Sequence, residues 1–176
     1  MLPRSKVSID ALFAMAQDKR AGERSRLCET ISALFMNEAD RPNERERALM
    51  RSILDRLLHD VEMHVRQRVS EQLADLPGAP PELVELLAND RIEIARPILL
   101  RSKVLRDPQL IEIIRQRGRE HALAVSMRAG LSPDVCDTLV ATGDEDVIHS
   151  LLRNGDAELS RLATEYLVAE SERVGR

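Results

Sequence analysis

The chain has 176 residues, enough for one domain with a continuous core. Apolar residues make up 43% and charged residues 32%, the balance of a folded domain rather than a disordered chain. A formal net charge of −4 disfavours a non-specific nucleic-acid binder, which needs excess cations to displace counterions, and the lack of Trp leaves little for base stacking.

The only aromatics are Phe13, Phe35 and Tyr166, so the core must be built from Leu, Ile, Val and Ala, which suits close helix packing. Cys28 and Cys136 lie far apart without a CxxC partner and read as reduced, buried thiols. Residues 1–6 lack the apolar stretch of a signal peptide, and no run approaches the roughly 18 apolar residues of a membrane span. A cytoplasmic setting is therefore expected, with no membrane partner.

Residues 1–7 read as a loose arm. Ser8 is a plausible N-cap for a first helix whose apolar face holds Ala11, Leu12, Met15 and Ala16, and Gly22 breaks it. A second helix carries Leu27, Ile31, Leu34 and Phe35 at helical spacing. After a turn from Asp40 to Asn43, a third runs from about Glu44 to Leu58 with Leu49, Ile53, Leu57 and Leu58 as its stripe. Residues 1–60 are thus expected to form a three-helix segment that either caps the rest of the chain or pairs two copies into a homodimer.

From about residue 60 the pattern becomes repetitive. Asp60 to Arg66, Asp90 to Arg96, His121 to Gly130 and Val147 to Gly155 align as degenerate copies. Each precedes a second apolar stretch: Leu83–Leu87, Leu110–Ile114, Val135–Val140 and Leu159–Leu167. A period of roughly 25–30 residues is that of a helix pair, A then B, stacked into an α-solenoid. Helix A of the first unit is expected from about Val61 to Ala74. Pro81 suits the first position of helix B, which runs to about Ala88, and Asp90 is expected to cap the next A helix. Pro97 lies inside that helix and should bend it. Asp107-Pro108 and Ser132-Pro133, 25 residues apart, each read as a cap followed by proline at the first helical position. Gly118, Gly143 with Asp144, and Gly155 with Asp156 punctuate the rest. No segment alternates as a half-buried strand does, so the expectation is all-α, with residues 61–176 as one continuous solenoid domain.

The proline-bearing A helix and the Val65-Arg66 and Ala95-Arg96 pairs resemble the HEAT-like and leucine-rich-variant helical repeats. A second likeness is carried by Asp60 to Glu62 with Val65 and Arg66, by Ala79 to Val84, by Leu87 to Asp90, and by Ile94 to Leu99 through Ser102 and Leu105. It continues at Leu131-Ser132, Val135 to Leu139, Gly143 to Glu145 and Leu152 to Ala157. Over residues 44 to 170 these stretches resemble an uncharacterised bacterial family, domain of unknown function 2336. The resemblance implies the helical-repeat fold and a bacterial cytoplasmic setting, and it brings no catalytic residues. Members often extend further at the C-terminus, so a chain ending at Arg176 is expected to be a short member or a trimmed domain.

Candidate chemistry is sparse. His59 and His64 flank Asp60 and Glu62, but residues five apart on a helix diverge by about 140°, so no metal site is expected. A phosphoaccepting His64, as in signalling phosphotransfer bundles, is the third functional reading. His121 and His149 read as ordinary, partly exposed residues. Asp144 to Asp146 resemble the start of a calcium loop without its glycine or distal glutamate, and read better as acidic residues at a helix N-terminus. No glycine-rich phosphate loop, GxSxG or HExxH occurs, and no cofactor is expected.

Two charge patterns remain. Arg101, Arg128 and Arg153 fall near the ends of A helices, while Arg66 and Arg96 each follow an aspartate by six residues. They read either as a ladder of ion pairs between repeats or as a row gripping a phosphate or an acidic partner. On the B helices, Glu82 with Glu85, Gln109 with Glu112, Asp134 with Asp137 and Glu158 with Arg161 are each three apart, on one helix face. Stacked B helices would join these into one mostly acidic stripe, on what is usually the concave surface of HEAT-like solenoids. That stripe is either a solvated face or a groove for a basic helix or tail. The expected function is a non-enzymatic protein–protein interaction scaffold or regulatory adaptor. The alternative is a HEAT-like nucleic-acid-binding protein using the A-helix arginines.

Overall fold

The computed structural model describes residues 63–161, 163–166 and 168, with residues 26, 30, 44, 45, 48 and 52 described singly. Those six are helical. The rest of the three-helix segment expected over residues 1–60, the boundary after it, and Cys28, His59 and Asp60 lie outside the described residues.

Every regular element among the described residues is an α-helix. In chain order these are α1 (Met63–Ala74), α2 (Pro81–Ala88), α3 (Ile92–Arg101), α4 (Asp107–Gln116), α5 (Arg119–Ser126), α6 (Pro133–Val140) and α7 (Glu145–Arg153). Residues 161, 163–166 and 168 form a further C-terminal helical stretch. Apolar residues three and four apart create the buried stripes: Val65, Val69 and Leu73 on α1, Leu83, Val84 and Leu87 on α2, Ile94, Ile98 and Leu99 on α3. The stripes continue with Leu110, Ile113 and Ile114 on α4, Val135 and Leu139 on α6, and Val147 and Leu151 on α7.

Each helix of the odd-numbered row packs on its next-but-one neighbour: α1 on α3, α3 on α5, α5 on α7. The even-numbered helices lie against this row, and α4 packs on α6. Small buried residues let the odd helices approach closely, and two of them bond across the contact. The Ser70 hydroxyl donates to the Ile94 carbonyl, and the Ser126 hydroxyl donates to Ser150 Oγ at 2.7 Å, both over a 24-residue separation.

Several helix ends fall where local chemistry dictates. Pro81 and Pro133 occupy first-turn positions, where the missing N–H costs nothing. Ser132 caps α6 by accepting from the Val135 N–H, and Asp144 caps α7 by accepting from the N–H groups of Asp146 and Val147 at 3.0 and 3.1 Å. Gly143, just before that cap, has φ +67°, a conformation other residues rarely adopt.

Four expectations need correction. Asp90 is not the N-cap of α3; Arg91 is, and the Asp90 carboxylate instead holds Arg66 at 2.8 Å. The α4 cap is Arg106 rather than Asp107, because Gln109 reaches back and accepts from the Arg106 N–H at 2.8 Å. Glu158 is not helical: its N–H donates to the Leu131 carbonyl at 3.0 Å, and Ser160 supplies the cap by accepting from the Ala163 N–H at 2.9 Å. Glu158 and Arg161 therefore share no helix face. Finally, α2 packs on α1 and α3 but is not among the helices packed substantially on α4, so the even-numbered row is not evenly continuous.

Candidate functional site

The odd-numbered row binds its own polar groups. Between α1 and α3, Arg66 Nε donates to Asp90 at 2.8 Å, and Arg101 bonds Glu71 at 2.7 Å and Asp75 at 3.0 Å. Between α3 and α5, His121 Nε2 lies 2.9 Å from the Asp90 carbonyl oxygen, and Arg117 donates to Asn89 Oδ1 at 3.0 Å. Arg128 donates to the carbonyls of Leu99, at 3.0 Å, and Ser102, closing the C-terminus of α3. Between α5 and α7, Arg119 pairs with Asp144 at 3.1 Å and with Asp146. Asn154 Nδ2 donates to the carbonyls of Ser126, at 2.9 Å, and Arg128, at 2.7 Å. Successive odd helices are thus joined near both ends.

This sorts the five arginines named from the sequence. Arg66, Arg101 and Arg128 are engaged within the stack. Arg96 and Arg153 are exposed and have no ion-pair partner among the described residues. Arg153 lines an open cleft with His149, Ser150, Asn154 and Met127. His121, expected to be partly exposed, is only 8% exposed, because its ring is packed under the Asp90 carbonyl. His64 and His149 are exposed. Among the described residues, no three His, Cys, Asp or Glu side chains converge in a way that could hold a metal, and no helix is long and apolar enough to cross a membrane.

The even-numbered row is different. Glu82, Glu85, Glu112 and Asp134 are exposed, while Gln109 is half-buried with its side chain turned back to cap α4. Asp137 is half-buried on α6 and accepts from the Ser160 hydroxyl, with no ion-pair partner among the described residues. It sits on a ridge between two clefts. One, of ≈ 490 Å³, lies between α4 and α6 and is lined by Ile114, Arg115, Asp137, Thr138, Ala141 and Thr142. The other, of ≈ 610 Å³, lies between α6 and the C-terminal helical stretch and is lined by Asp137, Val140, Ala141, Ala163, Glu165 and Tyr166. Arg161 is on the same stretch, where its guanidinium holds Glu165 at 2.8 Å. Ala141 is exposed and Tyr166 is 45% exposed, so an apolar floor and an aromatic side chain remain open to solvent beside unpaired carboxylate.

The negative field here reaches into the core. Burial, reinforced by Asp137 and Glu158, pushes the Cys136 thiol from its ordinary 9.0 up to about 11. The thiolate is thus disfavoured in the folded chain. Stability from this source is intact below pH 9.0 and falls as pH rises towards about 11, by roughly 2–3 kcal/mol at the limit. Urea titrations at pH 8 and pH 10.5 should show a larger loss for the wild type than for Cys136→Ala. Equal losses would contradict this reading.

The sequence reading missed Ala141, Tyr166, Arg115 and Ser160. Ser160 before an apolar run carried a readable capping signal. The other three acquire a role only when α4, α6 and the C-terminal stretch are brought side by side.

Residues 94–176 match the model of a family described as uncharacterised protein conserved in bacteria, domain of unknown function 2336. No curated protein matches, and no solved structure matches.

Proposed function

We propose that the chain, whose residues 94–176 match that bacterial family, is a non-enzymatic interaction module: a solenoid of HEAT-like helix pairs whose even-numbered row receives a protein partner. The observation that carries the proposal is the contrast between the rows. Most charged groups of the odd row are engaged with one another, Arg96 and Arg153 excepted, whereas the even row leaves two apolar-floored clefts that share Asp137, with Glu112 and Asp134 exposed on the same two helices, α4 and α6. An open apolar patch with a charged rim is the anatomy of a partner surface. Carboxylates of one sign select and steer a cationic partner. Engagement of Arg66, Arg101 and Arg128 inside the stack weakens the alternative of a phosphate-gripping row. A bacterial cytoplasmic setting fits this reading.

The test is affinity capture from a bacterial host lysate, comparing wild type with the Glu112→Lys/Asp134→Lys double variant and with Glu85→Lys. Both substitutions of the double variant are on exposed side chains, and Asp134→Lys also reverses a favourable charge in the first turn of α6, so its urea midpoint should correspond to a loss of no more than about 1–2 kcal/mol from wild type. The expected result is loss of a salt-sensitive partner from the double variant and retention by Glu85→Lys, which lies on α2, away from the α4–α6 pair. Equal capture by wild type and double variant would remove the even row as the interface.

A further inference from the structure

The two clefts flank one helix, and that arrangement carries information about what fits them. This inference rests on the reading of the even row as an interaction face and narrows it to one partner chemistry. We propose that the ridge of α6 and its two flanking clefts form a seat for a single amphipathic helix of a partner protein. That helix crosses α6 with aliphatic side chains at positions i and i+7 and a lysine or arginine at i+3 or i+4.

Spacing supplies the first part. Packed helices lie roughly 8–10 Å apart, so clefts on either side of α6 are separated by about that distance. A helix rises about 1.5 Å per residue, so side chains seven apart are about 10.5 Å apart on nearly one face. Shorter spacings of three or four reach only about 6 Å and would place both anchors in one cleft. The exposed Ala141 is small and borders both clefts, so a crossing helix meets no large side chain on the ridge there. The floors are apolar on both sides: Ile114 in one cleft, Val140 and Ala163 in the other, with Tyr166 at the outer wall.

Charge supplies the second part. Asp137 lines both clefts, is half-buried, and is bonded only by the neutral Ser160 hydroxyl among the described residues. The Cys136 thiol beneath it feels the same negative field. A cation midway between two anchors meets this carboxylate. Arg115 at the α4 cleft opposes a second cation at that outer edge, so the cation is confined to the centre of the crossing helix. Lysine-rich disordered tails satisfy the charge but offer no paired anchors.

The probe is a side-chain-stapled, fluorescein-labelled helical peptide of 15 residues, with Leu at i and i+7, Lys at i+3 and i+4, and Ala or Gln elsewhere. Its control has the same composition with the second Leu at i+5, on another face. Anisotropy titrations use the full chain. The expected result is saturable binding of the probe and at least tenfold weaker binding of the control. Asp137→Asn, which keeps an acceptor for Ser160, should weaken the probe severalfold, and Ala141→Trp should abolish it. Met127→Trp, in the odd-row cleft, should leave it unchanged. Circular dichroism and a urea midpoint verify that each variant is folded. No saturable binding, equal affinity for the control, or indifference to both Asp137→Asn and Ala141→Trp would overturn the seat. If the probe fails while lysate capture is still lost in Glu112→Lys/Asp134→Lys, the crossing helix is wrong and the interaction face stands. If capture is also unchanged, both fall.

Discussion

Replacing Arg128 with alanine should destabilise the chain by about 2–4 kcal/mol, although arginine is normally a surface residue. Its guanidinium bonds the carbonyls of Leu99 and Ser102 at the end of α3, where four carbonyls would otherwise lack helical partners. Ser102 and Leu99 are fully buried, so water reaches these carbonyls poorly once the side chain is gone. Burial itself lowers the Arg128 pKa and Asp107 opposes that shift, so the charge is held in a partly desolvated place. Truncation removes two charge-assisted bonds and leaves acceptors unsatisfied, which is the costly direction. Arg128→Lys keeps the charge but not the two-pronged donor, and should recover less than half of the loss. Urea unfolding of the three proteins checks this. A loss below about 1 kcal/mol for the alanine variant would show that water replaces the guanidinium.

Ile98→Ala should cost about 2–5 kcal/mol, and its effect should be unevenly distributed. Ile98 is fully buried on α3, and α3 is the helix that packs on α1, α2 and α5. Where each helix pair touches only its neighbours, stability is approximately a sum of local and interface contributions. A cavity in α3 weakens the links to α1 and α2 on one side and to α5 on the other. Neither α6 nor α7 packs substantially on α3. Hydrogen exchange should therefore show the largest loss of protection in α1 to α3 and a smaller one in α6 and α7. Uniform loss along the chain would indicate one cooperative unit instead.

Both predictions concern residues whose roles differ in how far the sequence discloses them. Ile98 belongs to an apolar stripe at helical spacing, and the stripes of α1 to α7 were readable because burial follows periodicity. Pro81, Ser132-Pro133 and Asp144 marked helix starts for equally local reasons. Arg128 looked like its neighbours in the repeat, Arg101 and Arg153. Only the packing of α5 on α3 shows that it alone closes a buried helix end, while Arg101 meets carboxylates and Arg153 faces a cleft. In the sequence Asp90 has the local signature of a cap, yet a partner 24 residues away takes its carboxylate. Gln109 and Glu158 leave the helix-face stripe for related reasons: Gln109, half-buried, bonds back to its own helix start, and Glu158, though exposed, precedes its helix. The acidic stripe thus shrinks to the residues around α4 and α6, and its apolar floor was invisible because it belongs to no single helix.

The central claim is that partners are met on the even-numbered row at α6. The most direct measurement places a photo-crosslinking amino acid at Ala141, and separately at Met127 in the odd-row cleft, in chains expressed in a bacterial host. Irradiation should yield a discrete protein adduct from position 141, lost when Glu112→Lys/Asp134→Lys is introduced, and none from position 127. An adduct from position 127 alone, or none from position 141, would contradict the account.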